Sequence, residues 1–188
     1  MKDQSSITAL MSAFGRAFHA ENEAHPVFRD GLARELMTAE EYAAVQGYVL
    51  QGAQFFEPET DPAAQEPKAL LRRLVNTQLA PSPLCRAAYT EQALKAAAQT
   101  GTRQYVILGA GLDTFAFREP AFLAEGRVFE VDHPLARQTS SPGSTGPAGS
   151  ARRGSPSFLW ISPGTALQSA CAPPASTRPP EPFSPGWA

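Results

Sequence analysis

The chain has 188 residues and a formal net charge of −2, from 16 basic and 18 acidic side chains. Because the charge is slightly negative and no block of lysine and arginine occurs, a nucleic-acid-binding surface is not expected. No apolar run reaches the length of a membrane span and no signal peptide begins the sequence, so a cytoplasmic protein without a membrane partner is expected.

Helical signals begin near the N-terminus. Ser5 or Ser6 is predicted to cap a first helix, because apolar side chains recur at helical intervals from Ile7 to Phe18. The sequence Thr-Ala-Glu-Glu at 38–41 is a capping box and predicts the start of another helix. We expect the apolar faces of these helices to pack together as a core.

More helices are predicted after a proline-rich stretch. Three prolines within 57–67 indicate a surface connection. Four leucines within 70–79 predict a helix, and Pro-Ser-Pro at 81–83 predicts the start of the next helix, which carries Arg86. Residues 1–100 are therefore interpreted as a helical N-terminal cap.

A strand followed by a glycine turn is the most specific pattern of the chain. An apolar strand is predicted at 104–108, the turn contains Gly109, Ala110 and Gly111, and a helix is expected after it. Glycines let the backbone approach a ligand closely, and a helix N-terminus offers it free N–H groups. This order is typical of nucleotide-like sites in α/β proteins.

A second predicted strand, near 127–131, brings an acid to the same edge of the sheet. The strand leads to Asp132, 21 positions after Gly111. At about this spacing, dinucleotide sites place the acceptor for ribose hydroxyls, so Asp132 is the first candidate for that contact. Glu130 shares a strand face with Asp132 and is the second candidate.

The turn favours a cationic ligand over a dinucleotide. A dinucleotide fingerprint has a third glycine where this chain has Thr114, and Asp113 places a negative charge where a pyrophosphate would lie. S-adenosylmethionine is cationic and carries no phosphate, so it suits the turn better. Two alternatives stay open: an oxidoreductase of the nicotinamide-dinucleotide type, and a turn in which Asp113 or Thr114 only caps the next helix.

Two segments resemble a known family. The sequences Gln-Tyr-Val-Ile-Leu-Gly-Ala-Gly-Leu-Asp-Thr-Phe-Ala-Phe-Arg at 104–118 and Phe-Glu-Val-Asp-His-Pro at 129–134 are similar to the signature of the leucine carboxyl methyltransferase family. Within it, they resemble the bacterial branch of S-adenosylmethionine-dependent O-methyltransferases, often linked to polyketide metabolism. The resemblance extends upstream through Arg-Ala-Ala-Tyr-Thr-Glu at 86–91 and, more loosely, over 6–16, and it ends after Pro134.

The resemblance implies a fold, a cofactor and a substrate class. The fold would be α/β, with the helical cap followed at 101–134 by the first βαβ unit of a class I, Rossmann-like methyltransferase. S-adenosylmethionine would be the cofactor, with its carboxylate on Arg86 and the rest of it near Gly109, Ala110, Gly111 and Asp132. The methyl acceptor would be a small molecule, polyketide-like in one reading, or a protein carboxylate.

No catalytic or metal-binding residue is assigned. The methyl group of the cofactor is already activated, so the rate comes mainly from positioning. His133 is interpreted as a turn residue, since a carboxylate acceptor needs no general base at neutral pH. Cys85 and Cys171 lack ligand-like spacing, so neither a disulfide nor a metal site is expected.

Residues 135–188 differ in composition from the rest. They hold 10 of the 18 prolines, 6 of the 14 glycines and a single acid, Glu181. Without apolar periodicity this segment cannot bury enough surface to offset its chain entropy, and it is predicted to be a disordered tail. Only two strands would then remain, so the enzyme is expected to be truncated and inactive as written.

A frameshift is the favoured origin of this tail. In the shifted frame, each triplet consists of the last base of one codon and the first two bases of the next. In this frame, the codons of Trp160 and Ile161 can encode only Asp, and those of Trp187 and Ala188 can encode only Gly. The intervening positions permit an Asp-Phe pair and a Phe-Ser-Trp-Leu-Gly string, both of which resemble later segments of the family. The alternative is a genuine Pro-rich segment that recruits partners in a non-catalytic binding protein.

Overall fold

A helical N-terminal part leads into a parallel sheet. The computed structural model of the chain describes residues 6–59, 61–132 and 158–161. In that part of the chain, no helix is both long and apolar enough to cross a membrane. The elements in chain order are α1 (Ile7–Asn22), α2 (Leu32–Glu35), α3 (Ala39–Gln51), α4 (Ala53–Phe56), a 3₁₀ turn (Pro62–Ala64), α5 (Pro67–Leu74), a π-helical turn (Val75–Leu79), α6 (Pro81–Gln99), β1 (Gln104–Leu108), α7 (Phe115–Arg118), α8 (Pro120–Glu125), β2 (Arg127–Val131) and β3 (Phe158–Ile161).

Local side-chain chemistry explains where α3 begins, but not where α1 begins. At α3, Thr38 Oγ1 accepts the Glu41 N–H at 3.1 Å and Glu41 Oε2 accepts the Thr38 N–H at 2.9 Å. The predicted capping box is therefore confirmed. At α1, Ser6 occupies the N-cap position without a side-chain cap bond, because its hydroxyl lies 2.7 Å from Thr8 Oγ1 instead. The predicted cap by Ser6 is wrong, and Ser5 lies outside the described residues.

Thr38→Ala is expected to lower the free energy of unfolding by about 1 kcal/mol, because it removes one of the two reciprocal bonds of the capping box. Urea denaturation followed by circular dichroism measures this loss. Thr77→Ala is the control, since the Thr77 hydroxyl only donates back to the Arg73 carbonyl of its own helical segment. We expect the control to stay within about 0.5 kcal/mol of the parent. Equal losses in the two variants would contradict a capping role.

The helices of the N-terminal part share one hydrophobic core. Phe14 of α1 is fully buried, and its ring centroid lies 5.7 Å from that of Phe18 and 4.7 Å from that of Tyr42. The residues of this core come from α1, α3, α4, α5, α6, the connections between helices and the glycine turn. Its buried members are Ala13, Phe14, Phe18, Met37, Val45, Val49, Ala53, Leu70, Leu71, Leu74, Val75, Ala80, Leu84 and Leu112.

The predicted leucine helix is confirmed only in part. Three of its leucines lie in α5 and are buried, whereas Leu79 belongs to the π-helical turn that follows. In this turn the Ala80 N–H donates to the Val75 carbonyl at 2.8 Å, a bond that spans five residues instead of four. The next helix, α6, begins at Pro81, as the sequence predicts.

The three strands form a parallel sheet in the order β1-β2-β3. The register places Ile107 opposite Glu130, and Glu130 opposite Trp160. Between β1 and β2 the chain crosses over through two short helices, α7 and α8, where the sequence predicted one helix. The strand-turn-helix-strand order is therefore confirmed, with two short helices in place of one, and the helix-rich fold with its small parallel sheet is compatible with part of an α/β fold.

The third strand corrects the prediction of a wholly disordered tail and of a sheet with only two strands. β3 lies inside 135–188 and pairs in parallel with β2. Its sequence, Phe-Leu-Trp-Ile, is a short run of the apolar residue types that favour strands. The abundance of proline and glycine around this run hid it. The rest of 135–188 lies outside the described residues, so its predicted disorder stays a prediction.

Candidate functional site

A cavity of about 720 Å³ opens at the carboxyl end of β1. Open α/β sheets bind ligands at this end of their strands. The cavity walls come from the start of α1, the first half of α6, the end of β1 and the glycine turn. The cavity brings together five of the six predicted site residues: Arg86, Gly109, Ala110, Gly111 and Asp132.

The glycine turn has a backbone that disfavours side chains. Gly109 has a φ of +66° and Gly111 a φ of +53°, in the left-handed region where a Cβ is strained. At Gly111 the space is also closed, because an added Cβ would come within 3.1 Å of the Ala9 Cβ in α1. At Gly109 an added Cβ would meet nothing within 4 Å. Gly111 is therefore required by its φ and by α1, and Gly109 by its φ alone.

Asp132 fastens the turn to the end of β2. Its Oδ2 accepts the Gly111 N–H, and the Gly109 N–H donates to the Val131 carbonyl at 2.7 Å. Asp132 also lines the cavity, and its role as the acceptor for ribose hydroxyls stays a prediction. Glu130, the second candidate, is two residues earlier on β2 and is not among the residues that line the cavity. The geometry therefore favours Asp132.

Arg86 lies exposed on α6 and lines the cavity. Glu91, five residues later on α6, is bound by Arg118 through contacts of 2.5 and 3.2 Å. In the described part of the chain, Arg86 forms no ion pair. A guanidinium in this state is suited to bind an anionic group of a ligand with two parallel hydrogen bonds.

The two candidate capping residues behave differently. Asp113 Oδ1 accepts the Phe115 N–H at 2.7 Å, so Asp113 caps α7 as one interpretation predicted. Thr114 occupies the N-cap position but makes no side-chain cap bond. Its buried hydroxyl instead donates to Asp30 Oδ2 at 2.6 Å. The capping prediction is therefore confirmed for Asp113 and wrong for Thr114.

A buried charge network adjoins the turn, and no sequence motif marked it. Arg16 Nη1 contacts Asp30 Oδ2 at 2.5 Å, and Arg16 Nη2 donates to the Leu112 carbonyl at 2.6 Å. Arg118 Nε lies 3.3 Å from Asp30 Oδ1 and donates to Thr114 Oγ1 at 2.8 Å. One signal was present in the sequence, since Arg16 falls beside Phe14 and Phe18 in the apolar part of α1.

The charges of this network balance. Two guanidiniums, of Arg16 and Arg118, meet two carboxylates, of Asp30 and Glu91. Burial acts to lower the pKa of Arg118, but the bonds to Glu91 and the nearby Asp30 raise it above its usual value. Burial also raises the pKa of Tyr105 in the cavity wall to about 12. Arg118 therefore stays charged and Tyr105 stays a neutral phenol at neutral pH.

The described residues contain no group of three or more His, Cys, Asp or Glu side chains placed to hold a metal ion. Cys85 is a free, exposed thiol. Cys171 and His133 lie outside the described residues, and with them the interpretation of His133 as a turn residue.

Comparison with known proteins matches the same part of the chain. The family model of leucine carboxyl methyltransferase matches residues 9–139. YktD of Bacillus subtilis, provisionally named an S-adenosyl-L-methionine-dependent methyltransferase, is 41% identical over 138 residues, which are 73% of this chain and 45% of YktD.

Two further relatives carry the same kind of provisional name. The relative Franean1_4929 of Parafrankia sp. is 35% identical over 144 residues, 74% of this chain and 40% of that protein. The relative SCO7813 of Streptomyces coelicolor is 35% identical over 127 residues, 68% of this chain and 38% of that protein. The chain thus spans less than half of the length of the curated relatives it matches.

Proposed function

Because this chain belongs to the leucine carboxyl methyltransferase family, we propose that it carries the cofactor-binding part of an S-adenosylmethionine-dependent O-methyltransferase. The observation that carries the proposal is the cavity at the carboxyl end of β1. There Arg86, Gly111 and Asp132 come together from three separate parts of the sequence. The names of the relatives support the cofactor, and they lend no support to the nicotinamide alternative.

The residues at the cavity suit this cofactor. The Arg86 guanidinium complements the carboxylate of its amino-acid part, and the Asp132 carboxylate complements the ribose hydroxyls. The carboxylates of Asp113 and Asp132 at the turn give the cavity wall a negative side, which favours a sulfonium cation. A volume of about 720 Å³ falls in the range of cavities that hold ligands of this size.

Methyl transfer requires positioning more than acid–base chemistry. The bound cofactor would supply an activated methyl group. The chain's own residues would hold the two ends of the cofactor at Arg86 and Asp132, while α1 and α6 would shield it from water. Such positioning is sufficient when the acceptor is a carboxylate, which is already ionised at neutral pH. We therefore assign no general base.

We propose an oxygen acceptor, either a carboxyl or a hydroxyl group. The name of the family supports a carboxyl group, and the O-methyltransferase branch that the sequence resembles supports a small, polyketide-like molecule. A protein carboxylate is the other candidate. The relatives extend well beyond the part that this chain matches. We therefore expect that residues beyond the matched part help to select the acceptor.

The test of the proposal is a titration of the isotope-labelled 188-residue chain with S-adenosylmethionine by NMR. We expect a dissociation constant of about 0.1–1 mM, an affinity reachable with only part of a site. Arg86→Ala and Asp132→Ala should each raise it at least about fivefold, since each removes a polar partner of the ligand. Arg73→Ala is the matched control, because Arg73 binds Glu57 on another surface. Tighter binding of NADH than of S-adenosylmethionine would overturn the proposal.

The family match continues to residue 139, so the resemblance ends five residues later than the sequence predicted. We further propose that the segment after residue 139 is an out-of-register translation. The end of the family match at residue 139 and the change in composition support this origin. Restoring the frame upstream of Trp160 is expected to give an Asp-Phe pair there, a Phe-Ser-Trp-Leu-Gly-like string near 183–188 and roughly a hundred further residues. Sequencing of the gene decides the matter. A stop codon in the shifted frame before either string would show that the segment is genuine.

A further inference from the structure

The charge network connects the helical cap to the glycine turn through one guanidinium. Arg16 lies on α1, and its Nη2 donates to the carbonyl of Leu112, the residue that follows Gly111. Its Nη1 contacts Asp30, which precedes α2. Because a guanidinium is planar and rigid, these two contacts fix the turn and the cap in one relative position.

Asp30 and Thr114 hold that guanidinium in place. Asp30 is fully buried and accepts hydrogen bonds from Arg16, from the Thr114 hydroxyl and from the Ala33 N–H at 3.2 Å. Thr114 in turn accepts from Arg118, which binds Glu91. The Thr114 hydroxyl both donates and accepts a hydrogen bond. Thr114 therefore links Asp30 of the helical N-terminal part to Arg118 of the segment that follows the glycine turn.

Stability alone does not explain why charged side chains are buried in this network. Buried ion pairs are weak contributors to stability, and well-packed apolar residues of similar volume often serve at least as well. Arg16 Nε is buried without a hydrogen-bond partner among the described residues, which adds to the cost of the arrangement. What the bonds of its two Nη atoms provide is a fixed geometry. Here the geometry is fixed next to the cavity, since Arg16, Leu112 and Arg118 all line it.

We propose that Arg16, Asp30 and Thr114 are positioning residues, which lock the turn 109–112 in its cofactor-binding conformation and make cofactor affinity depend on the docking of α1. The identity of the cofactor rests on the proposed function. The lock itself rests only on the contacts of the three side chains.

The test compares Thr114→Val with Thr114→Ser in the 188-residue chain. Valine keeps the volume and loses the hydroxyl, whereas serine keeps the hydroxyl. For Thr114→Val we expect the rate of amide exchange at Gly111 and Leu112 to increase by about tenfold more than the rate of the slowest exchanging amides increases. We also expect the dissociation constant for S-adenosylmethionine to rise about tenfold, the scale of one lost hydrogen bond. Thr114→Ser should restore both quantities to within about twofold of the parent.

A purely structural role would not quicken exchange at Gly111 and Leu112 more than elsewhere, and it would leave the dissociation constant unchanged. It would lower the melting temperature and quicken all exchange together, while the folded molecules kept their affinity; that result overturns the proposal. Arg72→Gln is the matched control, because it removes an exposed two-bond pair with Glu23 and should leave both readouts unchanged. If Thr114→Val does not fold, Arg16→Lys takes its place in the same two measurements. Lysine keeps the positive charge of Arg16 but lacks the planar guanidinium that makes the two contacts.

The two proposals fail in different ways. If the parent chain shows no shift with S-adenosylmethionine, the proposed cofactor is wrong for this chain, and the exchange rates at Gly111 and Leu112 still decide the lock. If the parent binds and Thr114→Val binds equally well, the lock is wrong and the cofactor stands.

Discussion

Asp30→Ala is expected to lower the free energy of unfolding by about 3–5 kcal/mol, the cost of leaving buried charges without their partner. Asp30 is fully buried, and its carboxylate lies 2.5 Å from the Arg16 guanidinium and 3.3 Å from that of Arg118. Alanine would leave Arg16 with no carboxylate and the Thr114 hydroxyl with no acceptor. Urea denaturation at neutral pH measures the loss, which is a large share of the roughly 5–15 kcal/mol typical of a folded domain.

Two variants control this result. Arg73→Ala breaks an exposed pair with Glu57 and should cost less than about 1 kcal/mol. The double variant Arg16→Met/Asp30→Leu removes both charged partners and should recover part of the stability lost in Asp30→Ala. A loss below about 1 kcal/mol for Asp30→Ala would mean that the carboxylate is not buried as described.

Gly111→Val is the second substitution with a large expected effect. The left-handed backbone costs about 1–2 kcal/mol for a residue with a Cβ, and forcing a side chain against α1 adds about 1–3 kcal/mol. The total expected loss is therefore about 2–5 kcal/mol, together with loss of the cofactor signal in the NMR titration. Thermal denaturation followed by circular dichroism measures the first quantity.

Gly109→Val separates the two causes. Gly109 shares the left-handed backbone, but the space around it is open. We expect this variant to lose only the backbone part, about 1–2 kcal/mol. Equal losses at the two glycines would show that the clash of the new side chain at position 111 with Ala9 does not contribute to the loss of stability.

The features that local chemistry determines could be predicted from the sequence. The capping box at Thr38 and the proline at the start of α6 act within one helical turn, so the sequence indicates them directly. The glycine turn and Asp132 could be predicted for a similar reason, because backbone conformation and strand ends leave short motifs. These residues form one side of the cavity, and they carried the proposed function.

The rest of the site depends on contacts between distant parts of the sequence. Thr114 meets Asp30 across 84 positions and Arg16 across 98 positions. A single sequence does not indicate which charged residues will be buried together, so Thr114 was interpreted as a cap and Arg16 was not singled out. The strand at 158–161 could not be predicted for another reason. Four apolar residues are too short a run to indicate a strand in a segment whose proline and glycine content indicates disorder.

The π-helical turn between α5 and α6 has a consequence for changes in chain length. Such a turn amounts to one residue inserted into a continuous α-helix. Deleting one residue between Leu74 and Pro81 would move the start of α6 back by one helical position, which corresponds to a rotation of about 100° around the helix axis. Arg86 would then swing away from the glycine turn, although neither residue had been altered. The alignment of the cavity walls is thus sensitive to a one-residue indel in a connection of which only Leu79 lines the cavity.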